Sequence, residues 1–311
     1  MRLSTNMIFH QRLQDMNGAQ SRWMEAGSQL ASGQRVNKPS DDPQASSQAV
    51  RINQSENRNQ QYVTSRGFAK TGMTLQMSIL TQMTDVTTQI DTTIIQASNQ
   101  GALSDKDRNS LAEQLTGLKE QLVALGNTTD GNGRYIFAGF KSDKPPFEID
   151  AAGEVLYHGG DKPITQNVAS EREMTTYFTG AQVFETDGAG MVNVFKALNE
   201  GIKALGIPQE NAPQADLDRA QAGMDTANRG IKAALDQISN IEAKQGLQLQ
   251  EIDKLDFLAD TRSIQNAARK SELLETNWTA TTTDYYKEKA MFQASQDIFK
   301  DLNSMSLFGG R

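Results

Sequence analysis

Leu30-Ala31-Ser32-Gly33-Gln34-Arg35-Val36-Asn37-Lys38-Pro39-Ser40-Asp41-Asp42-Pro43-Gln44-Ala45 stops one helix and starts another. Before it, Phe9, Met16, Trp23 and Leu30 recur every seven residues, an apolar stripe on one helical face that Ser32-Gly33 breaks. After it, Ser40, Asp41 and Asp42 can cap free amides, and the fixed φ of Pro43 suits a first helical position. The paired carboxylates therefore read first as a cap. An acid-base pair needs a cleft and partners with shifted pKa, and no histidine, cysteine or Gly-rich loop is near enough in sequence to build one. Between decorating a loop and touching a neighbouring subunit, the residues alone leave Arg35 and Asn37 open.

Working outward, residues 3–31 read as one amphipathic helix with Leu13 beside the seam. Holding one face over three heptads implies left-handed supercoiling against a partner helix. At the other end of the sequence Trp278, Tyr285, Phe292 and Phe299 return to a spacing of seven, with Ile298 and Leu302 adding breadth. Each seam covers a run of roughly 32 Å at the helical rise. The two stripes look like a pair.

Between them, a helix is expected from 43 to about 100, seamed by Met73, Leu80, Met83, Ile90, Ile94 and Ala97 and ended by Gly101. Ser104 with Asp107 reads as a capping box before the stripe Leu111, Leu115, Leu118, Leu122 and Leu125. These two helices are expected to pack as an antiparallel hairpin. A turn cluster at 126–133 follows, and then the period changes. Residues 135–140 read as a strand, 147–150 and 154–158 as a hairpin across Ala151-Ala152-Gly153, and 164–168 and 174–178 as further strands. Met191, Val194, Phe195, Leu198, Ile202 and Leu205 restart helical spacing, and a last long helix spans about 214–275, able to complete a bundle.

Composition excludes several function classes. With 37% hydrophobic and 6% aromatic residues the apolar material is spread thinly, as in elongated helical proteins. A formal net charge of -7 without a basic cluster argues against nucleic acid as a partner. The absence of cysteine removes disulfides, thiolate nucleophiles and most structural zinc. His10 and His158 lack ligand-spaced neighbours, so no metal or cofactor is expected. Asp130-Gly131-Asn132 fails as a calcium loop, because Tyr135 stands where the turn glycine belongs and Lys141 where the bidentate acid belongs. No apolar run suits a secretory signal or a membrane span, so the triplets Asn127-Thr128-Thr129 and Asn277-Trp278-Thr279 read as chance matches to a glycosylation motif.

Residues Leu30, Ser32, Gly33, Arg35, Asn37, Asp41 and Asp42 reproduce the amino-terminal junction of the bacterial flagellin family, which this chain resembles. The middle, with Asn127, Asp130, Gly133, Tyr135, Ile136, Phe137, Ala138, Gly139, Pro145, Pro146 and Phe147, resembles the hook-associated branch of that family rather than its filament-forming flagellins. Tyr157-His158-Gly159-Gly160 and the run from Thr179 to Phe184 fit the same branch.

The resemblance implies a mainly α, elongated, flagellin-like helical bundle with terminal coiled-coil helices and a small inserted β-rich domain. The expected division is 1–38 with 276–311 as an assembly domain, 39–135 with 206–275 as the bundle, and 136–205 as the insert. It implies a non-enzymatic axial protein at the hook-filament junction, exported through a dedicated channel without a cleaved signal. The implied partners are a homo-oligomer ring, another hook-associated protein, flagellin and an export chaperone, with no membrane. Phe9, Leu13, Met16, Trp23, Leu30, Trp278, Tyr285, Phe292, Ile298, Phe299 and Leu302 would make the subunit contacts, and the resemblance tips Arg35 and Asn37 toward contact with a neighbouring subunit. A two-helix unit buries little area alone, so order in the ends is expected only on assembly. Two other readings compete: a filament-forming flagellin, and an enzyme or type III secreted effector on a helical scaffold. The lack of any nucleophile-base or cofactor motif weighs against the last.

Overall fold

A computed structural model describes residues 5–98, 103–184, 193–210 and 212–308 of the 311-residue chain. Seven helices and four short strands follow in order: α1 (Thr5–Ser32), α2 (Pro43–Ala97), α3 (Asp105–Gly126), β1 (Phe147–Ile149), β2 (Val155–Tyr157), β3 (Ile164–Ala169), β4 (Arg172–Tyr177), α4 (Gly180–Phe184), α5 (Asn193–Leu205), α6 (Gln214–Leu274) and α7 (Trp278–Phe308). They form two compact units, one drawn from residues up to Asn59 and from Asp260 onward, the other from Gln60–Ala259.

The second unit holds the main core. The heptad-like stripe of α2 (Leu80, Met83, Val86, Ile90, Ile94) meets Leu111, Leu115 and Leu122 of α3, Phe195 and Leu198 of α5, and Ile231 and Ile238 of α6. Leu80, Leu115, Leu122 and Ile238 are fully buried, and each such side chain contributes roughly 1.5–3 kcal/mol by leaving water. The start of α3 is fixed as its sequence dictates: Asp107 N–H donates to Ser104 Oγ, and Asp107 Oδ2 accepts from Ser104 N–H, closing a reciprocal capping box. The expected helix end at Gly101 and the helix-starting Met191 lie outside the described residues.

Each hairpin packs on the helices. β1 and β2 pair antiparallel with Phe147 opposite Tyr157 and Ile149 opposite Val155, and Phe147, Val155 and Tyr157 join the main core. β3 and β4 also pair antiparallel. Val168 and Met174 close a smaller cluster with Ala69 and Met73 of α2 and Ile252 of α6. Gln76 of α2 grips the end of β4, its side-chain amide donating to the Phe178 carbonyl at 2.9 Å while its Oε1 accepts from Phe178 N–H at 2.8 Å.

One expected strand is absent. Residues 135–140 form consecutive turns, with only an isolated bridge from Tyr135 to Thr129. Ala138 N–H returns to the Tyr135 carbonyl and Lys141 N–H to that of Ala138. The Phe137 carbonyl is taken by Tyr157 Oη–H and Gly180 N–H. Ile136, Phe137 and Ala138 are buried together, which an apolar run achieves as well by coiling as by extending. Gly139 makes the coil possible: its φ is +58° and a Cβ there would stand 2.7 Å from the Lys162 carbonyl.

Candidate assembly surface

α1 and α7 pair along the two stripes, and the seam is largely aromatic. Phe9 meets Phe299 with ring centroids 5.1 Å apart, Trp23 stacks on Phe292 at 5.6 Å, and Trp23 tilts against Tyr285 at 6.1 Å. Such pairs add about 0.5–1.5 kcal/mol each beyond their buried area. An ion pair, Arg22 Nε to Glu288 Oε2 at 2.9 Å, fixes the register from outside.

Sequence reasoning missed the residues that let the helices close. Ala19 and Ala26, spaced seven apart between the large seam positions, are the buried side chains among the described residues of α1. Their spacing of seven is legible as a second heptad position, masked by the bulk of the neighbouring stripe.

The seam is only partly covered. Leu13, Met16, Trp23, Leu30, Tyr285, Phe292 and Phe299 are half-buried, while Phe9 is 38% exposed, Ile298 47% and Trp278 60%. The Leu302 side chain lies outside the described residues. Met24, Tyr286 and Met291 add exposed apolar surface on the same two helices.

The junction after α1 ties the chain to the end of α6. Gly33, with φ +69°, turns the backbone out of the helix while its N–H still reaches the Gln29 carbonyl. Ser32 Oγ accepts from Gln34 N–H at 3.2 Å. The strand-like step that follows exchanges hydrogen bonds across the junction: Arg35 N–H donates to the Leu274 carbonyl at 2.7 Å, and Thr276 N–H to that of Gly33 at 3.0 Å. Asp41 Oδ2 gathers Asn37 and Lys38 N–H, and the Asn37 amide reaches Ser28 Oγ at 3.4 Å.

Asp42 caps α2 ahead of Pro43, its Oδ1 accepting from Ala45 N–H at 2.9 Å. Its Oδ2 accepts from both Arg35 Nη atoms at 3.2 and 3.1 Å, and Arg35 Nη2 also donates to the Leu273 carbonyl at 2.8 Å. The Ala45 amide first, and then Arg35, hold the Asp42 carboxyl below its ordinary value. Arg35, read from sequence as open between loop and neighbour, is thus engaged within its own chain.

The central signature is an internal clamp. Asn127, just past α3, receives Phe147 N–H on Oδ1 at 3.0 Å and donates Nδ2–H to the Phe147 carbonyl at 2.8 Å. The Phe147 ring is then buried among Tyr157, Phe184 and Phe195. Pro146 is buried beside it and its carbonyl accepts from His158 N–H. Gly133 takes φ +76° in the turn that Asp130 organises through Asn132 and Arg134 N–H.

Two cations sit inside the second unit where the α3 stripe called for apolar residues. Arg108 donates to the Ala204 carbonyl at 3.0 Å, and Lys119 to Gly153 O and Asn199 Oδ1 at 3.0 Å each. Burial pushes the Lys119 amine down. Among the described residues no three His, Cys, Asp or Glu side chains cluster as metal ligands, and no helix is long and apolar enough to cross a membrane.

Comparison with known proteins places this geometry. Residues 3–142 match the bacterial flagellin N-terminal helical region. The chain is 40% identical over 318 residues to flagellar hook-associated protein 3 of Salmonella typhimurium, covering 99% of both chains, and equally similar to that of Escherichia coli. Among solved structures it resembles a putative flagellar hook-associated protein from Vibrio parahaemolyticus (TM-score 0.66, 19% identity, 76% of this chain and 100% of that one). It also resembles flagellar hook associated protein-3 from Legionella pneumophila (TM-score 0.63, 17% identity, 71% and 98%). These likenesses show the same helical fold with a small β part.

Proposed function

Because the chain belongs to the flagellar hook-associated protein 3 family, we propose that it is a structural, non-enzymatic component of the bacterial flagellum that joins the hook to the filament. One observation carries the mechanism: the first and last helices make a common aromatic seam that their own unit covers only in part. A pair of helices with Met24, Tyr286, Met291 and Ile298 left outward has apolar surface to spend on sister helices. Covering it on assembly supplies the burial that the isolated pair lacks.

In this reading Phe9, Leu13, Met16, Trp23, Leu30, Trp278, Tyr285, Phe292, Ile298, Phe299 and Leu302 form the inter-subunit packing of a homo-oligomeric ring. The residues from Ser32 to Pro43 hold the assembly helices in a fixed relation to α6. Another hook-associated protein lies on the hook side and flagellin on the filament side, and an export chaperone shields the terminal stripes before export without a cleaved signal. Close helical packing would carry torque across the junction.

Deletion of the gene tests the role: hooks are expected to remain while flagellin is lost to the medium, and intact filaments would remove it. Phe292→Asp tests the seam: the second unit is expected to stay folded while the protein no longer enters the flagellum. Normal filaments from that variant would defeat the assembly role of α1 and α7.

A further inference from the structure

Two charged faces of the chain carry side chains that make no ion pair among the described residues. In the first unit α2 and α6 run antiparallel, their register set by Glu56, whose carboxylate accepts from Ser263 Oγ and Asn266 Nδ2 at 2.9 Å each. That register brings Arg58 level with Arg262 and Arg51 level with Arg269. Arg51 and Arg269 line one groove with Gln48, Ile52, Leu273 and a single carboxylate, Glu272, so cations outnumber anions there two to one. Seven residues separate Arg51 from Arg58 and Arg262 from Arg269, so each helix carries its two arginines on one side, their backbone positions ~10.5 Å apart along the axis. All four are exposed, and none is ion-paired among the described residues. They form a ladder of four arginines.

The matching face lies on α3. Glu113 and Glu120, again seven apart and therefore ~10.5 Å apart, border a shallow groove with Ala112, Thr116 and Gly117. Both glutamates are exposed and neither is ion-paired among the described residues. A Cβ built on Gly117 would meet nothing within 4 Å, so the groove floor is open to an incoming helix. The charge of the chain is divided in the same sense. Residues 60–259 hold 26 of its 38 acidic residues and 17 of its 31 basic ones, which leaves 12 acidic against 14 basic in the first unit.

We infer that the arginine ladder of one copy docks on the Glu113–Glu120 face of a second copy, guanidinium to carboxylate at matched spacing. The two surfaces are different, so the contact is heterologous and repeats from copy to copy, as a ring requires, instead of closing into a two-fold dimer. The inference rests on the assembly reading above, with the charged contact setting lateral register and the terminal helices supplying apolar burial.

Full-length R51E/R58E, full-length E113R/E120R and their equimolar mixture test it by sedimentation, at a concentration where the parent chain self-associates. Each variant alone is expected to associate at least about tenfold more weakly. The mixture is expected to recover association, because the reversed α2 side of one variant meets the reversed α3 face of the other, while the unchanged ladder meets an unchanged face. Recovery also shows that both variants fold; should either lose helix content, R51Q/R58Q and E113Q/E120Q carry the same comparison. Parent-like association of the single variants, or a mixture that stays dissociated, overturns the ladder. Phe292→Asp separates the two ideas: if it dissociates while R51E/R58E does not, the ladder falls and the terminal seam stands; if it associates like the parent, the seam falls first.

Discussion

α3 and the α1–α7 pair start from the same kind of sequence, an apolar stripe repeated along a helix, and finish in opposite states. On α3, Leu115 and Leu122 are fully buried by helices and hairpins of their own unit. On α1 and α7, the rings of Phe9, Trp23, Phe292 and Phe299 meet each other, yet none reaches full burial. Periodicity announces that a face needs covering. It is silent on whether the cover comes from the same chain. The contrast between a finished stripe and an unfinished one is what separates the folding core from the surface proposed above for assembly.

Substitutions can break that contrast. Phe147→Ala removes a ring packed against three others and is expected to cost about 3–5 kcal/mol in urea unfolding of the isolated chain. Phe292→Ala should cost the isolated chain well under half of that and act instead on incorporation into flagella. Equal losses at the two sites would erase the distinction.

Native probes sharpen it. Both tryptophans, Trp23 and Trp278, lie in the first unit, so their fluorescence is expected to change at lower urea than the far-ultraviolet circular dichroism, which all helices share. Amides of residues 111–122 should exchange far more slowly than those of 9–30. Coincident transitions with uniform protection would mean that the terminal pair is as firmly folded as the core.

Asn127→Ala leaves the Phe147 N–H and carbonyl of a half-buried clamp without partners, an expected loss of about 1–3 kcal/mol. The smallest effect concerns acid. The Asp42 carboxyl is held below its unfolded value, so its contribution is fully present above the ordinary carboxylate range and is lost as pH falls through the lowered folded value. Asp42→Asn should flatten the acid limb of stability reported by the two tryptophans and leave the neutral range less changed. An unchanged acid limb would show that the cap contributes nothing measurable.

The long helices were legible because each carries its apolar residues at helical spacing and starts or stops on a residue with a local reason, Asp42-Pro43 for α2 and Ser104 with Asp107 for α3. Both hairpins were legible from alternation and turn residues. Residues 135–140 were misread because a run buried on all sides carries no period, although Gly133 and Gly139 at its edges already marked positive-φ turns. α4, five residues long, is too short to show a period. Arg108 and Lys119 occupy stripe positions of α3, and their burial was not legible because the acceptors they reach, on Ala204, Gly153 and Asn199, are far away in sequence. For the candidate site, the aromatic seam was visible in the heptads, whereas the junction bonds of Arg35 depend on a partner segment at Leu273 and Leu274 that no local pattern indicates.

The carboxamides of Asn127 and Gln76 have a consequence beyond holding the hairpins in place. Each engages both the N–H and the carbonyl of one peptide position, Phe147 or Phe178, as the next strand of a sheet would. At those positions the backbone has no free hydrogen-bonding group to offer a foreign strand, which is one way a short sheet is kept from pairing edge to edge. On the assembly reading proposed above, polymerisation is thereby left to the helices, whose joining has a definite geometry.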